Sequence, residues 1–374
     1  MRSFSNATVN PPLITRLRII VAMVFLCIVI GLCVPIVSSS VGIYAPAAAA
    51  RPIVAIEAQA PLSSATPLAV PPTLAGTDSA VDLRIVFYGY PQIGVPRAGT
   101  AEIHETGISN IRDITFSLIG GELSPTGRFI AYDNCSTVNR GIYLAEADGR
   151  SAQLVIPLSG SPCVDVRWSP DGAKLSYVAQ PDRSLRIFDI ASKSDTLIPN
   201  TQGADLHWWS PTGDEIVYGK MRRSDANRPI GRLLYITDLR GNTRQLTFAE
   251  DFVPCAREHN IIDTWSPAWS PKGDAIAFTQ GECLFVVSPT GNGLRQLTTI
   301  PYASRPSPKM PVTLAYNPRW SPDGRWIIFN GEGGLCRIGD GAVLNRISPD
   351  GNTTVAIGKL PYCGGPFSIA PFNE

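Results

Sequence analysis

The sequence predicts an all-β fold: a six-bladed β-propeller of four-stranded blades, closed by a C-terminal strand and preceded by one N-terminal transmembrane or signal helix. Three observations predict it. A Ser-Pro-x-Gly motif recurs five times at the spacing of a propeller blade, and strand-like alternation follows each copy. Of the 374 residues, 33 are glycine and 33 are proline, which favours many tight turns over a helical bundle. An uncharged apolar run stands near the N-terminus.

The apolar run covers residues 19–37, after Arg16 and Arg18. A helix rising about 1.5 Å per residue just crosses a hydrocarbon core of about 30 Å over that length. The basic flank predicts that residues 1–18 stay in the cytoplasm. An uncleaved anchor and a cleaved signal h-region both stay open, because an A-x-A site follows at 47–50.

Residues 38–80 form an Ala/Pro-rich stretch with few charges, which predicts a semi-rigid spacer. The propeller is expected over residues 81–374. With either reading of the N-terminus the propeller lies outside the cytoplasm. It is held at the cytoplasmic membrane by a single pass if the anchor is retained, and it is secreted if the signal is cleaved.

The repeat defines the blades. LSPTG at Leu123 recurs as WSPDG, WSPTG, WSPKG and WSPDG, starting at Trp168, Trp209, Trp269 and Trp320. Serine, proline and glycine at these spacings are typical of a four-residue turn, and β-branched and aromatic residues with period two follow each turn. Five blades are explicit. We expect a sixth to be split between the chain ends, with outer strands at 83–90, 100–105 and 110–116 and its innermost strand at 367–372, so that the ring closes without open edges.

These residues resemble a known family. The WSPDG hairpin, its trailing strand and endings such as LYITDLRGNTRQLT at 234–247 are similar to the TolB-type WD-like β-propeller repeat. The resemblance covers about residues 84–372 and implies the propeller fold and a periplasmic location. Repeats of this family serve in binding proteins and as accessory domains of peptidases and lyases. The α/β domain that precedes the propeller in TolB is not matched by the spacer.

Six cysteines stand outside the apolar run, and an even number in an exported domain predicts disulfides. In a four-stranded blade the second-to-third-strand loops and the connections between blades emerge on one face, here termed the loop face. The Ser-Pro-x-Gly turns lie on the other, the turn face. All six cysteines are expected on the loop face, each pair stabilising by about 3–4 kcal/mol. Free buried thiols are the alternative. The expected pairs are Cys135 with Cys163, Cys255 with Cys283, and Cys336 with Cys363.

No catalytic motif is evident. The sequence has no G-x-S-x-G, no Gly-rich phosphate loop after a strand and no H-E-x-x-H, and without a C-x2-C pair neither a metal site nor a cofactor is predicted. His207, beside Trp208 on a predicted inner strand, favours packing or channel lining over chemistry. Other inner-strand charges are expected to line the channel with it: Glu122, Asp165, Arg167 and Arg319.

Four loops differ most between repeats, at 90–99, 220–232, 250–266 and 301–318. They are expected on the loop face, where arginines and aromatics suit a carboxylate-bearing glycan or an acidic protein. The balance of 32 basic and 31 acidic residues disfavours nucleic acid. The candidate binding residues are Arg222, Arg223, Arg228, Arg232, Arg257, Trp265, Tyr302, Arg305 and Lys309.

Together these patterns predict a membrane-tethered extracytoplasmic module that binds an envelope protein or an acidic glycan and is not catalytic. Its partners are then that protein or glycan and, through the N-terminal helix, the membrane. Two alternatives stay open. One is a small propeller enzyme, such as a polysaccharide lyase with a channel site that includes His207. The other is a purely architectural envelope protein.

Overall fold

The computed structural model describes residues 82–92, 95–114, 121–134, 139–159, 164–223, 229–248, 262–280, 283–298, 314–332, 341–361 and 363–371. The predicted cytoplasmic segment, the helix at 19–37 and the spacer lie outside these residues. Within them, helices of the length and hydropathy needed to span a bilayer are not found.

The described residues form 24 β-strands. The first three are β1 (Leu83–Gln92), β2 (Val95–His104) and β3 (Gly107–Ile114). Blade 1 contains β4 (Glu122–Leu123), β5 (Phe129–Asn134), β6 (Gly141–Glu146) and β7 (Gln153–Pro157). Blade 2 contains β8 (Val166–Trp168), β9 (Lys174–Ala179), β10 (Ser184–Asp189) and β11 (Asp195–Leu197).

Blade 3 contains β12 (Ala204–Trp209), β13 (Glu215–Arg223), β14 (Pro229–Asp238) and β15 (Thr243–Gln245). Blade 4 contains β16 (Ile262–Trp269), β17 (Ile276–Gln280), β18 (Cys283–Val287) and β19 (Arg295–Gln296). Blade 5 contains β20 (Leu314–Trp320), β21 (Ile327–Glu332), β22 (Val343–Ile347) and β23 (Thr354–Lys359). The last strand, β24 (Cys363–Pro371), belongs with the first three.

Blade 6 is the split blade that the sequence predicts. Its strand order is β24-β1-β2-β3, and β24 pairs antiparallel with β1 from Leu83 opposite Pro371 to Tyr90 opposite Cys363. Each inner strand contacts the inner strand of the next blade, in the order β24, β4, β8, β12, β16, β20 and back to β24. The all-β six-bladed propeller of four-stranded blades is therefore confirmed.

The Ser-Pro-x-Gly motif forms the turn between the first and second strands of blades 1 to 5. In blade 2 the Gly172 amide donates to the Ser169 carbonyl oxygen at 2.9 Å, and Gly172 has a φ of 69°. The Ser169 hydroxyl accepts from the Lys174 amide at 2.9 Å. Ser321 makes the same contact with Trp326 in blade 5. The repeated serine is thus a turn residue, as blade geometry predicts.

The tryptophan before the turn ties neighbouring blades together. Trp168 Nε1 donates to the Glu122 carbonyl oxygen of blade 1 at 3.0 Å, and Trp320 Nε1 donates to the Ala268 carbonyl oxygen of blade 4 at 3.0 Å. Each bond joins an inner strand to the preceding inner strand. Trp168 and Trp320 therefore help to fix the spacing of the inner strands, whereas Trp269 Nε1 donates to the Gly273 carbonyl oxygen of its own turn at 3.5 Å.

The hydrophobic core lies between blades. One cluster of buried side chains fills each interface, such as Val217 and Phe278 between blades 3 and 4, or Leu185 and Tyr218 between blades 2 and 3. Both faces of a blade are covered by its neighbours, so the strands carry apolar residues at consecutive positions as well as alternate ones.

Candidate functional site

The structure brings the predicted channel residues together on the inner strands. Glu122 lies on β4, Arg167 on β8, His207 on β12 and Arg319 on β20, while Asp165 immediately precedes β8. All but Asp165 are less than a tenth exposed. These five charged or titratable side chains form what we term the channel cluster.

Arg167 connects three inner strands through its guanidinium. Nη1 donates to Glu122 Oε2 at 2.8 Å, Nη2 lies 2.8 Å from Asp165 Oδ1, and Nε donates to the His207 carbonyl oxygen at 3.1 Å. Its Cζ atom lies 5.1 Å from the centre of the Trp208 ring. All three nitrogen atoms and one face of this cation are therefore occupied, which fits a structural role in closing the ring.

His207 is held on all sides. Its amide donates to Asp165 Oδ2 at 3.1 Å, its Nδ1 lies 3.0 Å from the same oxygen, and its Nε2 contacts the Ser176 hydroxyl at 2.7 Å. The order serine, histidine, aspartate is that of a hydrolase triad. Ser176 and His207 are both 0% exposed, however, so a substrate does not reach the hydroxyl. The geometry supports packing rather than chemistry at His207.

Burial and pairing set the protonation of the cluster. Burial opposes ionisation of Asp165, but Arg167 and His207 outweigh it and lower the pKa of Asp165 to about 2. Burial raises the pKa of Glu122 despite the attraction of Arg167 and Arg319. Burial, together with repulsion from Arg167, lowers the pKa of Arg319 to about 10. At neutral pH Asp165 is thus an anion and both arginines are cations.

Trp208 separates the two arginines of the channel cluster. The Cζ atom of Arg319 lies 4.6 Å from the centre of its ring, close to the 5.1 Å of Arg167. In blade 4 the position equivalent to Trp208 is Ala268, and the indole packs against the cluster that contains this alanine. A large residue in one blade thus fills the space that a small one leaves in the next.

Three consecutive inner strands carry irregular pairing, which the sequence analysis missed. The register shifts between Ala204 and His207 in β12, between Trp265 and Ala268 in β16, and between Tyr316 and Arg319 in β20. Such bulges re-aim side chains. The signal was present for two of them, because Pro267 and Pro318 stand inside the strands and lack the N–H that regular pairing needs.

At two of these bulges the backbone has a positive φ at a residue other than glycine, namely 50° at Ser266 and 51° at Asn317. The Ser266 hydroxyl donates to Asn317 Oδ1 at 2.9 Å. The bulges thus turn two polar side chains of blades 4 and 5 toward each other, next to the channel cluster.

Most predicted loop-face residues lie outside the described part of the chain: Arg228, Arg257, Tyr302, Arg305 and Lys309. Arg222 and Arg223 end β13 and Trp265 lies in β16, with side chains that are not described. Their role as binding residues stays a prediction.

Arg232, which was expected to be a binding residue of the loop face, is buried in the structure. It is 6% exposed, and its Nη2 lies 2.7 Å from Asp205 Oδ2, while Arg183 Nη2 lies 2.7 Å from Asp205 Oδ1. Because one carboxylate joins arginines of blades 2 and 3, the guanidinium of Arg232 is an internal ion-pair partner. Sequence spacing alone did not reveal this, since Asp205 is distant from both arginines along the chain.

Of the six cysteines in the predicted pairs, Cys283 is the one whose side chain belongs to the described part of the chain. Cys283 is 0% exposed in β18 and is disulfide-bonded. Its expected partner Cys255 lies outside the described residues, as do Cys135, Cys163 and Cys336, and only the backbone of Cys363 is described. The three pairings stay predictions.

Two long hairpins distinguish blades 3 and 6. β13 and β14 have 9 and 10 residues and β1 and β2 have 10 each, against 5 each for β17 and β18 of blade 4. At about 3.3 Å per residue, four extra residues extend a hairpin by roughly 13 Å. Blades 3 and 6 stand opposite each other in the ring, so the hairpins face one another across the loop face.

The blade 3 hairpin is anchored by its neighbour. β14 pairs in parallel with β16, with Gly231 opposite Ile262 and Arg232 opposite Asp263. This pairing joins blades 3 and 4 into one eight-stranded sheet. A hairpin held from two blades is a rigid base for the residues at its tip.

A groove of about 240 Å³ near the loop face lies between blades 1 and 2. Arg140, Tyr177, Gln180 and Arg186 are among its lining residues. Arg186 Nε lies 3.0 Å from Asp195 Oδ2, and Arg140 Nη2 lies 3.5 Å from Asp133 Oδ2. The sequence analysis missed this groove because its lining comes from two blades whose contact depends on the fold.

A second serine–histidine–aspartate contact lies at the turn face, where β1 begins. His104 Nδ1 lies 2.6 Å from Asp82 Oδ1, and His104 Nε2 lies 2.9 Å from the Ser109 hydroxyl. Ser109 is exposed on the outer strand β3. The contact joins the start of β1 to the next two strands, and it places the beginning of the propeller on the turn face.

Among the described residues, no group of three or more histidine, cysteine, aspartate or glutamate side chains is arranged to hold a metal ion. The channel cluster combines two carboxylates with two guanidinium groups, which compete with a cation for the same oxygens. What the cluster does supply is hydrogen-bond donors in a buried setting.

Comparison with known proteins places this geometry among propellers. No protein-family profile matches the chain. The Tol-Pal system protein TolB of Polaromonas naphthalenivorans is 30% identical over 97 residues, which are 25% of this chain and 22% of that protein. TolB of Methylobacillus flagellatus is 30% identical over 95 residues, with the same coverage of 25% and 22%. The chain thus matches under a quarter of the length of these relatives.

The crystal structure of TolB from Acinetobacter baumannii superimposes with a TM-score of 0.55 and 17% identity, over 77% of this chain and 67% of that one. The propeller is TolB-like. A chain of a nidogen/laminin complex superimposes with a TM-score of 0.53 and 7% identity, over 77% of this chain and 98% of that one. At such identities the superpositions show the fold alone.

Proposed function

We propose that this chain is an extracytoplasmic binding module, tethered to the cytoplasmic membrane by its N-terminal segment, that binds an acidic envelope protein or glycan on its loop face and is not catalytic. The observation that carries the proposal is the pair of long hairpins on opposite blades. They border the loop face, and one of them is fixed by pairing with the next blade.

The charge of the loop face supports an acidic partner. Arg222 and Arg223 end the long strand β13, whereas Arg140 and Arg186 of the groove between blades 1 and 2 are paired with Asp133 and Asp195. Guanidinium groups bind carboxylates bidentately, so they suit acidic side chains or uronic acids. The similarity to a Tol-Pal system protein favours a protein of the cell envelope over a glycan.

The position of the chain ends supports the tether. Arg84, at the start of β1, donates from Nη1 to the carbonyl oxygen of Gly127 in a Ser-Pro-x-Gly turn at 3.0 Å. The chain therefore enters the propeller at the turn face. A spacer at 38–80 after an apolar segment at 19–37 is part of this proposal, and both precede the start of β1 along the chain.

The buried state of the channel supports a non-catalytic role. His207, the histidine of the channel cluster, is 0% exposed and is contacted by Asp165 and Ser176. A general base must reach the proton that it abstracts. The enzyme alternative therefore gains no support from the channel cluster.

The test is affinity capture from solubilised cell envelopes with the full chain as bait. The loop-face variant carries Arg222→Glu and Arg223→Glu. The matched control carries Arg240→Glu and Lys272→Glu, which reverse the same number of charges at exposed positions of the turn face.

We expect the wild type and the turn-face control to retain the same partner, and the loop-face variant to bind it at least tenfold more weakly. Protease and glycosidase treatment of the extract distinguishes a protein from a glycan. Equal capture by the loop-face variant, or loss of capture by the turn-face control, would refute the proposed face.

A further inference from the structure

Arg319 differs from Arg167, the other arginine of the channel cluster, because no carboxylate of the described residues pairs with its guanidinium. It is 2% exposed, and its one hydrogen bond to a described residue runs from Nη1 to the Pro318 carbonyl oxygen at 2.9 Å. The Nε atom is buried without a hydrogen-bond partner. Within the described residues no carboxylate oxygen lies within 4.0 Å of this guanidinium, whereas Arg167 has two.

One edge of the Arg319 guanidinium forms no hydrogen bond with the described residues. Trp208 covers one face at 4.6 Å and Phe367 lies 6.0 Å from Cζ. Nη1 donates to the Pro318 carbonyl oxygen, and among the described residues neither Nε nor Nη2 has a hydrogen-bond acceptor. That edge is the fork which binds a carboxylate through two parallel bonds.

A second donor without a partner belongs to the same environment. The Tyr88 hydroxyl is buried without a hydrogen-bond partner in the described part of the chain, and Tyr88 interacts electrostatically with Glu122, Arg167 and Arg319. Unpaired buried donors are rare because each loses its hydration without replacement. A ligand that accepts hydrogen bonds would give the donors of Arg319 and Tyr88 a partner.

We propose that the channel binds a small monovalent anion, a carboxylate the size of formate or acetate, on the Nε–Nη2 edge of Arg319, with the Tyr88 hydroxyl as a further donor. The ligand is small because Arg319 is almost fully buried. It is monovalent because Glu122 and Asp165 in the same cluster repel a second negative charge. This site is independent of the loop face and of any partner bound there.

The first test compares sodium formate and sodium acetate with sodium chloride at equal concentrations. Thermal unfolding of the full chain is followed in a zwitterionic buffer. A ligand at ten times its Kd should raise the Tm by about 2 °C, so the carboxylates are expected to exceed chloride, which lacks two oxygens for two parallel bonds, by that amount. Equal Tm in the three salts would overturn the proposal.

Variants assign the effect to the site. Arg319→Gln removes the unmatched charge, so we expect a Tm in carboxylate-free buffer equal to or above that of the wild type, and no difference between formate and chloride. Arg319→Lys keeps the charge without the fork and should also lose the preference for formate. Tyr88→Phe should weaken formate binding several-fold.

Arg240→Gln, which removes an exposed arginine of the turn face, is the matched control and should respond as the wild type does. If Arg319→Gln does not fold, Arg319→Lys and Tyr88→Phe still decide the question. A preference for formate that persists in the Arg319 variants would refute the site.

Discussion

Within the channel cluster, Asp165 and Glu122 hold the same guanidinium and yet respond to burial in opposite ways. Asp165 contacts Arg167 and also His207 through its second oxygen, so ionisation is favoured in the folded protein. Glu122 shares Arg167 without a second cation at bonding distance among the described residues, so burial dominates. The two carboxylates therefore contribute to stability in different pH ranges.

Replacing Asp165 with asparagine should lower the free energy of unfolding at pH 7 by about 2–3 kcal/mol. The folded pKa of about 2 lies below the value of about 3.9 expected for an unfolded aspartate. The stabilisation is full above pH 4 and is lost as the pH falls toward 2. Urea unfolding between pH 2.5 and pH 7 should show the Asp165→Asn variant converging with the wild type at the acid end.

Glu122→Gln is the matched control for that experiment. The folded pKa of Glu122 is raised, so its protonated form stabilises the protein below about pH 4.3 and this contribution is lost as the pH rises through the folded pKa. At pH 7 the Glu122→Gln variant should therefore lose less stability than Asp165→Asn. An equal loss in both variants, unchanged between pH 4 and pH 7, would contradict the assigned pKa directions.

Individual channel residues could be predicted from the sequence, but their partners could not. Glu122, Arg167 and Arg319 were found because each precedes a copy of the turn motif on an inner strand. Ser176 and Asp205 were missed, because their contacts with His207 and Arg232 cross strands and blades. Such contacts depend on register, which a motif does not specify.

At the scale of strands and turns, the hairpins followed from local chemistry while their lengths did not. The stretch 220–232 was expected to be a loop, and the structure continues β13 to Arg223 and starts β14 at Pro229. The added pairs include Met221 opposite Arg232. Extension here is stabilised by pairing with β16, a contact between distant parts of the chain that local sequence does not report.

The turns between third and fourth strands allow a test of steric fit at a fixed backbone conformation. Gly241 and Gly293 both have positive φ, 88° and 66°. A Cβ atom on Gly241 would lie 2.5 Å from the Pro199 carbonyl oxygen of blade 2, whereas one on Gly293 meets nothing within 4 Å. Gly293→Ala should cost about 1 kcal/mol, the price of the left-handed conformation, and Gly241→Ala about 3 kcal/mol because strain and overlap add.

Chemical denaturation of the two glycine variants measures the difference directly. Each serves as the control for the other, since the substitution is the same and both glycines have a positive φ between a third and a fourth strand. Equal losses would mean that blades 2 and 3 separate easily enough to admit a methyl group at Gly241, which would contradict the close contact between them.

For the molecule as a whole, the ring could be predicted because five copies of the motif identify five blades. The first three strands and the last strand then form the sixth blade. The partner could not be predicted in the same way. Repetition identifies residues that every blade needs, such as Ser169 and Trp168, and their contacts are within and between blades. Binding residues stand where the repeats differ, so no internal copy exists against which to recognise them.

Closure by β24 gives the prediction that belongs to the whole ring. β24 covers the edge of β1, its Ser368 hydroxyl accepts the Leu123 amide of blade 1 at 3.0 Å, and its Phe367 is 1% exposed against blade 5. Burial of one phenylalanine is worth about 3–5 kcal/mol, a large share of the roughly 5–15 kcal/mol of a typical domain. A chain that ends at residue 362 should therefore lose its cooperative unfolding transition and aggregate through the exposed edge of β1. Circular dichroism during thermal unfolding measures the loss of the transition.

A peptide of residues 363–371 added in trans should restore the transition, since an antiparallel strand can be supplied by another molecule. A chain that ends at residue 371 keeps β24 and should unfold as the full chain does. The Cys363→Ala variant of the full chain separates loss of the strand from loss of the predicted disulfide. Cooperative unfolding of the 362-residue chain without the peptide would show that five blades and an open sheet suffice, because contacts between the other blades would then hold the ring without closure.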